Sequence, residues 1–102
     1  MKTFTLTVHT FEMGSAKESA IKVLEEASEV RAAWQEVEHE LAMGMPFDKY
    51  LVEDLGYEIA DCITACCNLA ERYGIDLKAM LKKVEKSNRE RGRYEGTKNA
   101  EH

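Results

Sequence analysis

Residues 15–43 read SAKESAIKVLEEASEVRAAWQEVEHELAM, and this stretch decides the fold. Val23, Ala27, Val30, Trp34, Val37 and Leu41 recur at spacings of four and three, which is a helical apolar stripe over five turns. Ser15 followed three residues later by Glu18 is a capping box that starts the helix. Gly44, with Pro46 two residues on, stops it. The spacing predicts helix one over 15–43.

Working outward, Asp48 is placed to cap a second helix over 48–73, ending before Gly74. Its middle, from Ile59 to Ala70, is apolar almost all round, which predicts burial on several sides. Asp76 caps a third helix over 76–91 with Leu77, Met80, Leu81 and Val84 as its stripe. Three helices from one small chain can hardly surround helix two, so a second copy is expected to complete the core. At the other end, residues 2–10 alternate: Phe4, Leu6 and Val8 against Thr3, Thr5, Thr7 and His9. Period two with threonines predicts a short strand needing a partner, which another subunit could supply. The expected organisation is an extended segment at 1–14, a helical domain at 15–93 and a polar tail at 94–102. The fold class is all-α: a three-helix protomer that completes a four-helix-type bundle by oligomerisation.

Composition narrows the class. A chain of 102 residues with 44% apolar and 32% charged residues is one small globular domain. No apolar run approaches the roughly 18 residues of a membrane span, and the opening MKTFTLTVHT lacks the apolar stretch of a secretory leader. Three cysteines within 62–67 form no disulfide framework and fit a reducing cytoplasm, where they are expected in the core. The net charge of −5 argues against a nucleic-acid polymer as partner. That charge is segregated. Residues 12–43 hold eight acids against Lys17, Lys22 and Arg31, while residues 76–93 hold seven bases against Asp76, Glu85 and Glu90. Solvated helix faces that pair with each other are the plain explanation. An acidic cation site near a basic anion site is the sharper one.

The acids themselves favour the second. Glu26 and Glu29 are three apart on helix one, and Glu58 and Asp61 are three apart on helix two, so each pair shares a face. Glu58 also stands in line with Leu51, Leu55, Cys62 and Leu69, where a carboxylate is costly unless paired or bound to a cation. One such pair alone is ordinary surface; two, each bordering an apolar stripe, are rarer. Hard oxygen ligands suit Mg²⁺ or Mn²⁺. On helix three, Lys82, Lys83, Lys86, Asn88, Arg89 and Arg91 could hold phosphate oxygens, although a cationic helix C-terminus is also favoured by the dipole alone.

The run Lys22-Val23-Leu24-Glu25-Glu26-Ala27-Ser28-Glu29-Val30, followed by Glu58-Ile59-Ala60-Asp61, resembles the EExxE…ExxD signature of the all-α nucleoside triphosphate pyrophosphohydrolases. Tyr73 to Leu77 and Glu85 to Gly92 look like the MazG-like branch. The resemblance spans about residues 15–93. It implies two subunits building a four-helix core in a homodimer or homotetramer, and Mg²⁺-dependent (or Mn²⁺-dependent) hydrolysis of a nucleotide between its α and β phosphates. It further implies Glu26, Glu29, Glu58 and Asp61 as metal ligands, Glu25 as a residue that orients a ligand or water, and Lys86, Asn88 and Arg91 on the phosphate side. Phosphoribosyl-ATP pyrophosphohydrolase shares the first motif. Its tyrosine-histidine pair after the second is absent here, where Ile63-Thr64 follow Cys62. A non-catalytic dimerising or nucleotide-sensing module on the same bundle is the rival from another class.

Overall fold

The computed structural model describes residues 2–95, which form three helices and, among the described residues, no strand. They are α1 (Ala16–Ala42), α2 (Lys49–Arg72) and α3 (Leu77–Glu90). The caps are those the sequence predicts. Ser15 Oγ accepts the Glu18 amide at 3.1 Å, Asp48 accepts the amides of Tyr50 and Leu51 at 2.9 and 3.4 Å, and Asp76 accepts that of Ala79 at 3.0 Å. Each carboxylate or hydroxyl satisfies a first-turn N–H that has no partner within its helix.

The helix ends are equally explicit. At the end of α1 the Gly44 amide donates to Leu41 and the Met45 amide to Glu40, both at 3.0 Å; at the end of α2 Gly74 donates to Glu71 and Ile75 to Ala70. These are Schellman turns. Gly44 and Gly74 lie at φ +75° and +61°, a left-handed conformation that a Cβ disfavours. The short link after Gly44 folds α2 back along α1, and these two helices make the extensive helix–helix packing of the protomer; α3 barely touches the pair.

Contact between α1 and α2 is not centred on the expected stripe. Val23, Glu26, Val30, Ala33 and Val37 are half-buried against α2, whereas Ala27, Trp34 and Leu41 are exposed. At 100° per residue, the contact face is rotated by roughly 50° from the apolar stripe, toward Glu26 and Ala33. The stripe is wider than one neighbouring helix can cover, so its far flank stays open. The same holds for α2: Ala65 and Ala70 are its buried apolar residues, while Ile59, Ala60 and Cys66 are exposed, and Cys62 and Cys67 are half-buried. The all-round burial expected for its middle, cysteines included, is therefore absent in the single chain. The stripe of α3 is open too, with Leu81 60% and Val84 53% exposed.

The N-terminal strand expected at 2–10 does not form. Among the described residues the segment has no ladder partner, since the regular elements there are all helices. The residues between it and α1, 11–14, are pinned by side chains. The Phe11 amide donates to Asn68 Oδ1 at 2.9 Å, Ser19 Oγ donates to the Met13 carbonyl at 3.0 Å, and the Arg72 guanidinium donates to the Gly14 carbonyl at 2.6 Å. Ser19 and Asn68 are 3% and 5% exposed and are the buried polar residues among those described. Burial without loss of hydrogen bonding makes them anchors, and each ties the segment across the helix pair. Most of the tail expected at 94–102 lies outside the described residues. Within them, Tyr94 folds back on α3, its hydroxyl 3.5 Å from Asn88 Nδ2 and its ring 5.3 Å below the Arg89 guanidinium.

Candidate functional site at the contact of α1 and α2

Rotation of the contact face toward Glu26 carries that carboxylate into the packed side of α1. It meets Glu58 and Asp61, one turn apart on α2. One carboxylate oxygen from each of the three lies within 4.8 Å of the others, and all three residues are half-buried. The fourth expected ligand, Glu29, is not in this group. It is exposed, and its charge still reaches Glu58. Glu25 is exposed too, with 59% of its side chain open.

Electrostatics follow from that crowding. Partial burial, then the charges of Glu29, Asp61, Glu26 and Asp54, hold the Glu58 carboxyl above the ordinary value of 4.5. One cation answers the cluster. Lys22, one turn before Glu26, places Nζ 3.1 Å from the Glu26 carboxylate and 3.6 Å from that of Glu25. Its hydrogen bond to Glu26 and the charge of Glu26 raise its own pKa.

Two clefts flank the acids. The first, of about 270 Å³, is bordered by Glu29, Glu36, Asp54, Tyr57 and Glu58. The second, of about 200 Å³, is bordered by Glu26, Asp61, Lys22, Thr64 and, from the N-terminal segment, Phe11 and Met13. The expected phosphate-side residues stand apart from both. Lys86 is paired with Glu90 at 4.0 Å, Asn88 accepts from Arg93 at 2.8 Å, and Arg91 is the exposed C-cap of α3. Among the described residues no ion pair or hydrogen bond links them to Glu26, Glu58 or Asp61.

Lys22, Asp54, Glu36 and the Phe11–Met13 wall were not anticipated. A signal existed for the first two: Lys22 precedes Glu26, and Asp54 precedes Glu58, by four residues, the spacing that stacks side chains on a helix. None existed for the wall, since an extended segment carries no record of which helix it crosses.

The raised Glu58 carboxyl sets a pH dependence. Between 4.5 and its folded-state pKa, the folded chain holds a proton that the unfolded chain has lost. Its stabilising contribution is therefore complete below 4.5 and is lost as pH rises through the folded pKa. Carboxyl-carbon NMR in EDTA should show Glu58 titrating above 4.5, and Asp61→Asn should lower that midpoint. A midpoint at or below 4.5 would mean the three acids are not crowded in solution.

No protein-family profile matches the chain, and no curated protein or solved structure is significantly similar to it. The likeness to the pyrophosphohydrolases therefore rests on the two acidic motifs and their order.

Proposed function

We propose that this chain is a MazG-like, metal-dependent nucleoside triphosphate pyrophosphohydrolase of the cytoplasm, converting a nucleoside or deoxynucleoside triphosphate to the monophosphate and pyrophosphate. The observation that supports this most is the convergence of Glu26, Glu58 and Asp61 within 4.8 Å at the edge of two clefts. Three carboxylates so close, in a half-buried setting, repel one another and fit a hard divalent cation such as Mg²⁺ or Mn²⁺. Bound there, such an ion supplies neutralisation of the triphosphate oxygens and a more acidic water.

The chain's own residues have distinct tasks in this reading. Glu26 and Asp61 hold the ion on the side of the Phe11 cleft. One carboxylate oxygen of the cluster accepts the proton of the attacking water, and Glu58 completes the ligand set from the side of the other cleft. Glu29 stands beside it in the neighbouring cleft as an outer acid, and Glu25 orients Lys22. Lys86, Asn88 and Arg91 act on phosphate only when an α3 is brought over the acids. A second copy is the natural means, because the open faces of α1, α2 and α3 all need covering. The assembly is thus a homodimer or homotetramer with a composite four-helix core.

One observation favours a second reading. Lys22 already neutralises part of the cluster, which a non-catalytic helical module would also need. The two are separated by incubating the chain with Mg²⁺ and a panel of canonical and modified nucleoside triphosphates and phosphoribosyl-ATP, scoring pyrophosphate. Pyrophosphate from at least one nucleoside triphosphate, abolished by EDTA, is the expected result. Release from phosphoribosyl-ATP alone would reassign the substrate, and no release from any would favour the module.

A further inference from the structure

We propose that Lys22 is an exchangeable internal cation that couples metal loading to phosphate binding: its ammonium sits on Glu26 without metal and moves to a substrate phosphate when a divalent ion takes Glu26. The inference rests on the proposed pyrophosphohydrolase reading and deepens it.

Three features of the pair carry it. Lys22 Nζ lies 3.1 Å from a carboxylate of the converging group, so a divalent ion held by Glu26 would face a like charge at contact distance. The two halves of the pair are unequal. The Glu26 side chain is 13% exposed and set between packed helices, whereas that of Lys22 is 41% exposed. The ammonium is the half that can leave, on a flexible four-carbon stem with freely rotating donors. It also has somewhere to go. Glu25, at 3.6 Å and 59% exposed, is an adjacent seat on the solvent side, and the cleft of about 200 Å³ that Lys22 shares with Glu26, Asp61 and Thr64 is where an anion next to the acids would lie.

Coupling then follows by linkage. While Lys22 occupies Glu26, it competes with the metal. Once displaced, it is left with only the solvent-exposed Glu25 beside it and attracts the triphosphate. Metal and phosphate therefore favour each other through one side chain, and the effect must be reciprocal.

The test uses the full chain, with Mn²⁺ alone and then tripolyphosphate at saturating Mn²⁺ as probes, both followed by calorimetry. Lys22→Met removes the charge at nearly constant length, and Lys22→Arg keeps it; the site is exposed enough that both should fold, which circular dichroism checks. Lys22→Met is expected to bind Mn²⁺ alone about tenfold more tightly and tripolyphosphate about tenfold more weakly, within the usual range of such couplings. Lys22→Arg should leave the Mn²⁺ affinity near wild type. Unchanged or weaker Mn²⁺ binding by Lys22→Met, or unchanged tripolyphosphate binding, overturns the exchange while leaving the acids as a metal site. A wild-type chain that binds no Mn²⁺ at millimolar concentration overturns the reading of the acids, and the exchange with it.

Discussion

Asp61→Asn and Glu58→Gln are each expected to lower triphosphate hydrolysis by on the order of 10²-fold or more, the usual loss for a principal electrostatic stabiliser. Each change keeps the shape of the side chain and removes its charge. Both residues are half-buried against α1, one turn apart, so neither loss can be made good by a neighbour that is free to move in. Glu29→Gln should cost less, because Glu29 stands outside the group of three that lies within 4.8 Å. Rates from purified variants that keep wild-type circular dichroism decide this. Wild-type rates for both Asp61→Asn and Glu58→Gln would remove the acids from the chemistry.

Cys66→Asp is expected to break the assembly. In the single chain Cys66 is exposed, and an aspartate there would be harmless. It lies, however, on the apolar middle of α2, two turns along the same helix face from Ile59, which is 42% exposed. A stable interface takes roughly 800 Å² from each partner, and a small chain whose buried apolar residues, among those described, are Ala65 and Ala70 gains much of its stability by covering such a face. An unpaired carboxylate buried there costs several kcal/mol. Sedimentation should show an oligomer for the wild type and a dissociated or unfolded chain for Cys66→Asp. A wild type that is folded and monomeric would contradict the composite core.

Helix boundaries were readable because they are set locally. Ser15, Asp48 and Asp76 cap their own first turns, and Gly44 and Gly74 close the last ones, so each boundary is written within a few residues. The strand expected at 2–10 is not seen in the single chain, for the converse reason. Alternating threonines favour an extended backbone, but a strand exists only through a partner. The residues that follow this segment, 11–14, are held by Asn68 and Arg72 on α2 and by Ser19 on α1, more than fifty residues away in two of three cases. Within the site, i to i+3 spacing identified Glu58 and Asp61 correctly as a pair. The same spacing could not say which of Glu26 and Glu29 turns inward. That depends on the rotation of α1 about its axis, which the packing of Val23, Val30 and Val37 against α2 decides. Glu58 stands out first, as a carboxylate on an apolar line, and it is a carboxyl that the fold's crowding raises.

The central claim is that Glu26, Glu58 and Asp61 form a cation site, and the melting temperatures of wild type and Glu58→Gln in EDTA and in Mg²⁺ test it without any substrate. Metal-free, the wild type holds like charges together and only Lys22 offsets them, so removing one charge should stabilise the fold. Glu58→Gln is expected to melt above wild type in EDTA, the reverse of an ordinary substitution at a half-buried residue. Mg²⁺ at about 100 times its dissociation constant should stabilise the wild type by roughly 2.7 kcal/mol through mass action. For a domain of this size that is a rise on the order of 10 °C. Glu58→Gln should lose most of that rise. Carboxylates that are merely solvated would show neither effect, being screened and weak for Mg²⁺. No Mg²⁺ shift in the wild type, together with a Glu58→Gln that melts below it in EDTA, would contradict the account.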